Sequence, residues 1–183
     1  YLRVMVIFIG GCIKMEKIGF YLRKGHLVKD KSVINLAGKY LDKARNNLVT
    51  MNLLSELNDK KEMLKIPKDY DSNEWVVISG YYAMYAAALA LLSKIGFRSK
   101  NHTATLLVLE EYFVKRKHLR NEDLLLIKNA QFQREEIEKI SDARHKREIA
   151  QYSITKQTTK NIAEKIKVDA FSFVNKVQEV LEI

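Results

Sequence analysis

Asn73-Glu-Trp-Val-Val-Ile-Ser-Gly-Tyr-Tyr-Ala-Met-Tyr-Ala-Ala-Ala-Leu-Ala-Leu-Leu-Ser-Lys-Ile95 is the stretch that decides the fold. Its only charged residues are Glu74 near the start and Lys94 near the end. Apolar residues fall on every side of a helical projection, and a helix that is hydrophobic all round belongs at the centre of its bundle. Gly80, Ala83, Ala86, Ala87, Ala88 and Ala90 leave room for neighbouring helices to approach closely. Gly96 is well placed to cap the C-terminus, where a left-handed residue commonly ends a helix.

Working outward, the 3.6-residue period predicts four more helices around this one. The first begins near Ser32, carries Leu36, Ala37, Tyr40, Leu41, Ala44, Leu48, Met51 and Leu54 on one stripe, and frays into the charged run Asn58–Lys65. Pro67 and Asp69-Tyr-Asp-Ser-Asn73 make the loop into the central helix. The third runs from about Asn101 to Lys117, with Leu106, Leu107, Leu109, Tyr112 and Phe113 as core candidates. The fourth follows an Asn121 cap, has Glu122 and Asp123 in its first turn, where acids suit the helix dipole, and continues to about Gln151. The fifth opens near Thr158 and carries Ile162, Ile166, Ala170, Phe173, Val174, Val177 and Leu181. One Pro and seven Gly in 183 residues punctuate the chain too rarely for a sandwich or barrel. The expected fold is all-α, an antiparallel up-and-down bundle of about five helices over residues 32–183. Residues 1–31 read as an N-terminal extension, partly apolar and basic.

A lone cysteine, Cys12, excludes an intrachain disulfide framework, and no Cys/His cluster has zinc spacing. No phosphate-binding glycine loop, zinc-protease or serine-hydrolase motif is present, so no metal or cofactor is expected. The formal charge of +10 favours anionic partners, and it is unevenly placed. Residues 1–31 carry seven basic and two acidic residues, residues 94–120 carry the same, and the remaining segments balance. Within the second block, Lys94, Arg98 and Lys100 precede one predicted helix, and Lys115, Arg116, Lys117 and Arg120 follow it. A helix of about 15 residues holds those groups roughly 20 Å apart, so one monomer is not expected to present a single dense basic groove. Tyr1 to Lys14 contains an apolar run of about ten residues, too short to span a bilayer as a helix. It reads either as a truncated signal sequence or as an over-extended start before Met15. Ile9-Gly10-Gly11-Cys12 loosely resembles a lipoprotein cleavage box, with too little apolar sequence before it. The expected location is the cytoplasm, with no membrane span.

The densest polar cluster is Asp142-Ala-Arg-His-Lys-Arg147-Glu-Ile-Ala-Gln-Tyr152. Taken with the Ser79–Leu92 helix and the Gly96-Phe-Arg-Ser-Lys-Asn-His102 turn, Arg147-x-x-Ala150-x-Tyr152 completes a trio that resembles the HEPN superfamily (higher eukaryotes and prokaryotes nucleotide-binding). The resemblance covers about residues 32–183. It implies a helical bundle that forms a homodimer, often works beside a small nucleotidyltransferase, and acts in toxin–antitoxin or defence systems. Active toxins of that family are metal-independent ribonucleases in which four to six residues separate an arginine from the histidine that follows it. Here Arg147 matches the arginine, but Tyr152 and then Ser153 stand where the histidine would fall.

That departure has a chemical consequence. Histidine titrates near neutrality and can exchange a proton during a reaction, whereas tyrosine, with a pKa of about 10, is a poor base at pH 7. Arg147 retains the fork that binds phosphate, and Tyr152 can donate a hydrogen bond or stack on a base. The candidate ligand-binding residues are therefore Arg147, Tyr152 and His102, the last at the start of the third predicted helix. The expected function is binding of nucleotide or RNA phosphate without efficient cleavage, beside a nucleotidyltransferase partner. Two alternatives stay open: a metal-independent endoribonuclease using Arg147 with Tyr152 or His102, and a structural dimer without a ligand. Tyr81, Tyr82 and Tyr85 read as packing residues more readily than as a stacking platform.

Overall fold

The computed structural model describes residues 16–146 and 152–182, with side chains over 16–138 and 159–182. Arg147 lies outside the described residues, and of Tyr152 only the backbone is described. The chain forms a helical bundle with one small ribbon. Helix α1 covers residues 16–23. Strand β1 (Leu27–Lys29) leads through a 3-10 segment (Lys31–Leu36) into α2 (Ala37–Asp59). Helix α3 is Asn73–Lys94, strand β2 is Phe97–Ser99, and α4 (His102–Leu109) continues as a π-helical turn over Glu110–Val114. Helices α5 (Asn121–Lys146) and α6 (Tyr152–Glu182) complete the bundle.

As its composition demands, α3 is the hub, touching α2, α4, α5, α6 and β2. Tyr81, Met84, Ala87, Leu91 and Leu92 are fully buried along it. Burying each large apolar side chain contributes about 1.5–3 kcal/mol. By length and composition α3 could cross a membrane, and most of that apolar window is buried inside the bundle. Helix α2 runs antiparallel to it, since Ser72 Oγ donates to the Leu54 carbonyl (2.6 Å) and Asn58 meets Asn73 at 3.0 Å near the loop, while Met51 packs further along at Gly80. Helix α6 runs the same way as α3: Ile166 and Ala170 face Gly80, and Lys94 Nζ donates to the Leu181 carbonyl at the far end (3.1 Å). Helix α3 therefore lies between an antiparallel neighbour, α2, and a parallel one, α6.

Element boundaries differ from the sequence expectations where local chemistry intervenes. Asp30 accepts from the Ser32 backbone N–H (3.0 Å) and hydroxyl (2.5 Å), and the chain enters α2 through a 3-10 turn instead of directly at Ser32. Asn121 is the first helical residue of α5, and the buried Asp123 carboxylate takes the Arg120 backbone N–H at 2.8 Å. Helix α6 begins at Tyr152, six residues before the expected Thr158. Gly96 adopts φ +73°, the left-handed conformation expected beyond the end of α3.

The ribbon was not legible from periodicity. Strand β1 pairs antiparallel with β2, matching Leu27 to Ser99, Val28 to Arg98 and Lys29 to Phe97. Leu27 is 1% exposed and Ile18 on α1 is 3% exposed, so the stretch read as an extension supplies core residues from position 18 onward.

A Cβ placed on Gly80 would sit 2.5 Å from Ile166 Cγ2 and 3.0 Å from Met51 Sδ. Alanine gains about 1 kcal/mol over glycine in a helix, but overpacking a filled core costs about 1–3 kcal/mol. Gly80→Ala is therefore expected to lower the urea midpoint with the m-value unchanged. A raised midpoint would mean that α3 and α6 pack less closely than described.

Candidate functional site

His102 opens α4 beside the middle of α3, and β2 is what brings it there. Tyr81 lies thirteen residues before Lys94, about 20 Å back along the helix. The seven residues from Ile95 to Asn101 cover that distance only if extended, at about 3.3 Å each. The extended strand meets Asn101, whose side-chain oxygen accepts from the Ala104 N–H at 2.9 Å and caps α4. The cap is Asn101, which leaves the His102 side chain for another role.

That role is contact with two tyrosines of α3. Tyr81 Oη and His102 Nδ1 are 2.5 Å apart. The His102 ring centroid is 4.3 Å from that of Tyr85 and 5.8 Å from that of Tyr81, and Tyr81 and Tyr85 stack at 6.0 Å with an interplanar angle of 12°. From α5, the Arg134 guanidinium lies 4.8 Å from the centre of the Tyr81 ring and 5.9 Å from that of Tyr82. At these distances the cation is attracted to the aromatic faces. Arg134 also pairs with Glu138 at 3.4 Å, and its side chain is 16% exposed. Its Nε finds no hydrogen-bond partner among the described residues.

Burial sets the protonation states. It pushes the Tyr81 hydroxyl well above the ordinary tyrosine range, with Arg134 opposing, and it raises Tyr85 as well. Desolvation lowers His102, the positive charge of Arg134 lowers it further, and Glu135 works the other way. Both shifts favour the uncharged forms, and Tyr81 Oη and His102 Nδ1 share one hydrogen bond whose direction follows the imidazole tautomer. The assembly offers a fixed cation, a neutral imidazole and the Tyr82 ring, which is 43% exposed. No group of acids, histidines or cysteines among the described residues could hold a metal ion.

Of the three residues singled out from sequence, His102 takes its place here, while the Arg147 and Tyr152 side chains lie outside the described ones. Arg134 was missed. Its signal was available: it stands four residues after Ala130 and three before Ile137, both buried, and so sits on the core-facing stripe of α5. A cation in a buried stripe needs a partner, and the tyrosine faces of α3 provide one. The tyrosines divide: Tyr81 is buried packing, Tyr85 half-buried and Tyr82 open.

The lowered His102 pKa has a definite linkage sign. The unfolded chain protonates this residue near the ordinary 6.5, while the folded chain resists until lower pH. Its contribution is present above 6.5 and is lost progressively as pH falls from there through the lower folded value. Wild type should therefore lose more stability between about pH 7 and about pH 5 than His102→Gln, in urea midpoints measured across that window. Parallel curves for the two proteins would mean that His102 is not held neutral. Comparison of the chain with family models, with curated proteins and with solved structures finds no match.

Proposed function

We propose that this is a HEPN-like protein that binds a nucleotide or the phosphate of RNA and cleaves it weakly or not at all, acting with a nucleotidyltransferase partner in a toxin–antitoxin or defence setting. The observation that carries the binding part is Arg134: a mostly buried guanidinium over two tyrosine rings, with Nε unpartnered among the described residues. The Nε itself is enclosed; the partly exposed end of the side chain, where a terminal nitrogen meets Glu138 at 3.4 Å, is what an anionic oxygen would bond. The open Tyr82 ring beside it offers a face for a base. The sequence trio supplies Arg147 as a second phosphate contact and Tyr152 in place of the family's histidine.

A second reading, metal-independent RNA cleavage, draws on His102. A neutral imidazole held by Tyr81 and flanked by a cation has the parts of a proton-transfer site. Cleavage of RNA in EDTA that His102→Gln abolishes would select that reading over pure binding.

The proposed assembly is a homodimer. Trp75 near the start of α3 is 56% exposed, with half-buried Ile78 one turn on, and Phe132 of α5 is 59% exposed. These open aromatics, apart from the Tyr82 ring, are the surface a second copy would cover. Light scattering is expected to give twice the chain mass, and Trp75→Glu with Phe132→Glu is expected to give the monomer. A wild-type monomer at micromolar concentration would contradict the assembly.

Fluorescence anisotropy with labelled nucleotide or short RNA tests the ligand. Tyr82→Ala and Arg147→Ala should each weaken binding by about 1–3 kcal/mol, the range for a lost stacking or charge-assisted contact. Tyr152→His should add cleavage if the missing histidine is the only obstacle. Wild-type affinity in both alanine variants would remove the site.

A further inference from the structure

The two basic blocks of the sequence, more than sixty residues apart, meet at the ribbon. The Asp30 N–H donates to the Gly96 carbonyl (2.8 Å) and the Lys100 N–H to the His26 carbonyl (2.9 Å), extending the β1–β2 pairing beyond both strand ends. Alternation along a strand puts Leu27, Phe97 and Ser99 on the buried face and His26, Val28, Arg98 and Lys100 on the outer one. Arg23, Lys24, His26, Arg98 and Lys100 are all exposed, while Lys29 pairs with Phe97 on the other face and reaches over its ring at 5.7 Å. Against them stands Asp30, which is engaged by Ser32 and by Arg98 at 3.5 Å, and the exposed Glu16 on α1. The juxtaposition creates a locally positive face that the linear sequence does not contain.

We propose that this outer face of the ribbon is a docking surface for the phosphate backbone of single-stranded RNA, leading into the His102 site. The inference rests in part on the reading of that site as a nucleotide or RNA phosphate site, and extends it from one nucleotide to a polymer. Two features favour RNA over an anionic membrane. Outer residues of a strand recur about every 7 Å, which sets cations in a row along Arg98 and Lys100, suited to a linear polyanion. Lys100 stands only two residues before His102, which places the ribbon's cations within about 7 Å of backbone from the histidine. A membrane-inserting face would need several protruding apolar side chains among the cations; the strands' outer face carries only the half-buried Val28, and Phe20 on α1, 47% exposed with Lys24 at 5.9 Å from its ring, is a single aromatic that can equally stack on a base.

The test is anisotropy of a labelled twelve-nucleotide single-stranded RNA and of a labelled mononucleotide across a salt series. Lys24→Glu with Lys100→Glu should weaken RNA binding at least tenfold at low salt. It should also flatten the plot of log affinity against log salt by about 1.4, the value for two lost single-strand phosphate contacts. Mononucleotide affinity should stay at the wild-type value. The milder Lys24→Gln with Lys100→Gln should shift both readouts in the same direction with an unchanged melting curve, separating a charge effect from misfolding. RNA affinity and slope equal to wild type in these variants would overturn the proposal. So would wild-type protein that sediments with phosphatidylserine vesicles and ignores RNA. Ribbon-dependent RNA binding with no mononucleotide binding would keep the ribbon and remove the His102 site instead.

Discussion

Everything in this molecule is arranged around the need to cover α3. A helix of 22 residues with apolar groups on all sides cannot lie on a surface, and its small residues let neighbours come close enough to bury it. Gly80 marks the tightest point, where Ile166 of α6 and Met51 of α2 fill the space a side chain would take. Helix α2 closes one side antiparallel, α6 another in parallel, and α4 and α5 cover much of what remains. The uncovered part is the Trp75–Tyr82 face, which is also where the candidate site opens.

The same constraint produces the site. Because α3 ends about 20 Å from Tyr81, the chain must return in an extended conformation before α4 can pack against the middle of the hub. An extended segment has unpaired backbone groups, and β1 satisfies them on one side. The return delivers His102 to Tyr81 and Tyr85, and α5 delivers Arg134 to the faces of Tyr81 and Tyr82. Packing and chemistry are therefore not separate layers here. The tyrosines that fill the core edge also contact the imidazole and the guanidinium, and burial together with the Arg134 charge lowers the His102 pKa.

The charge distribution follows the same logic. Near-neutral segments form most of the bundle, while the excess cations reside on α1, the ribbon and the turns around α4. Pairing β1 with β2 concentrates two of these groups on one face, next to the histidine. A phosphate-bearing polymer would meet charge first and aromatic rings second, an order suited to electrostatic capture before specific contact.

The sequence by itself determined five of the six helices, α1 excepted, the identity of the hub and the left-handed turn at Gly96, because 3.6-residue periodicity, all-round apolarity and glycine's freedom at positive φ are local properties. His102 was legible as a site residue only as part of a motif trio, and Arg134 only as a cation out of place on a buried stripe. The ribbon was not legible. Strands of three residues are too short for a period of two to register, and their pairing joins positions about seventy residues apart. Tertiary structure alone decided that the two basic blocks meet at one ribbon, that Tyr81 is buried while Tyr82 is open, and that burial lowers the His102 pKa. Each depends on which surfaces the bundle covers, and coverage is a property of the packed molecule and not of any segment.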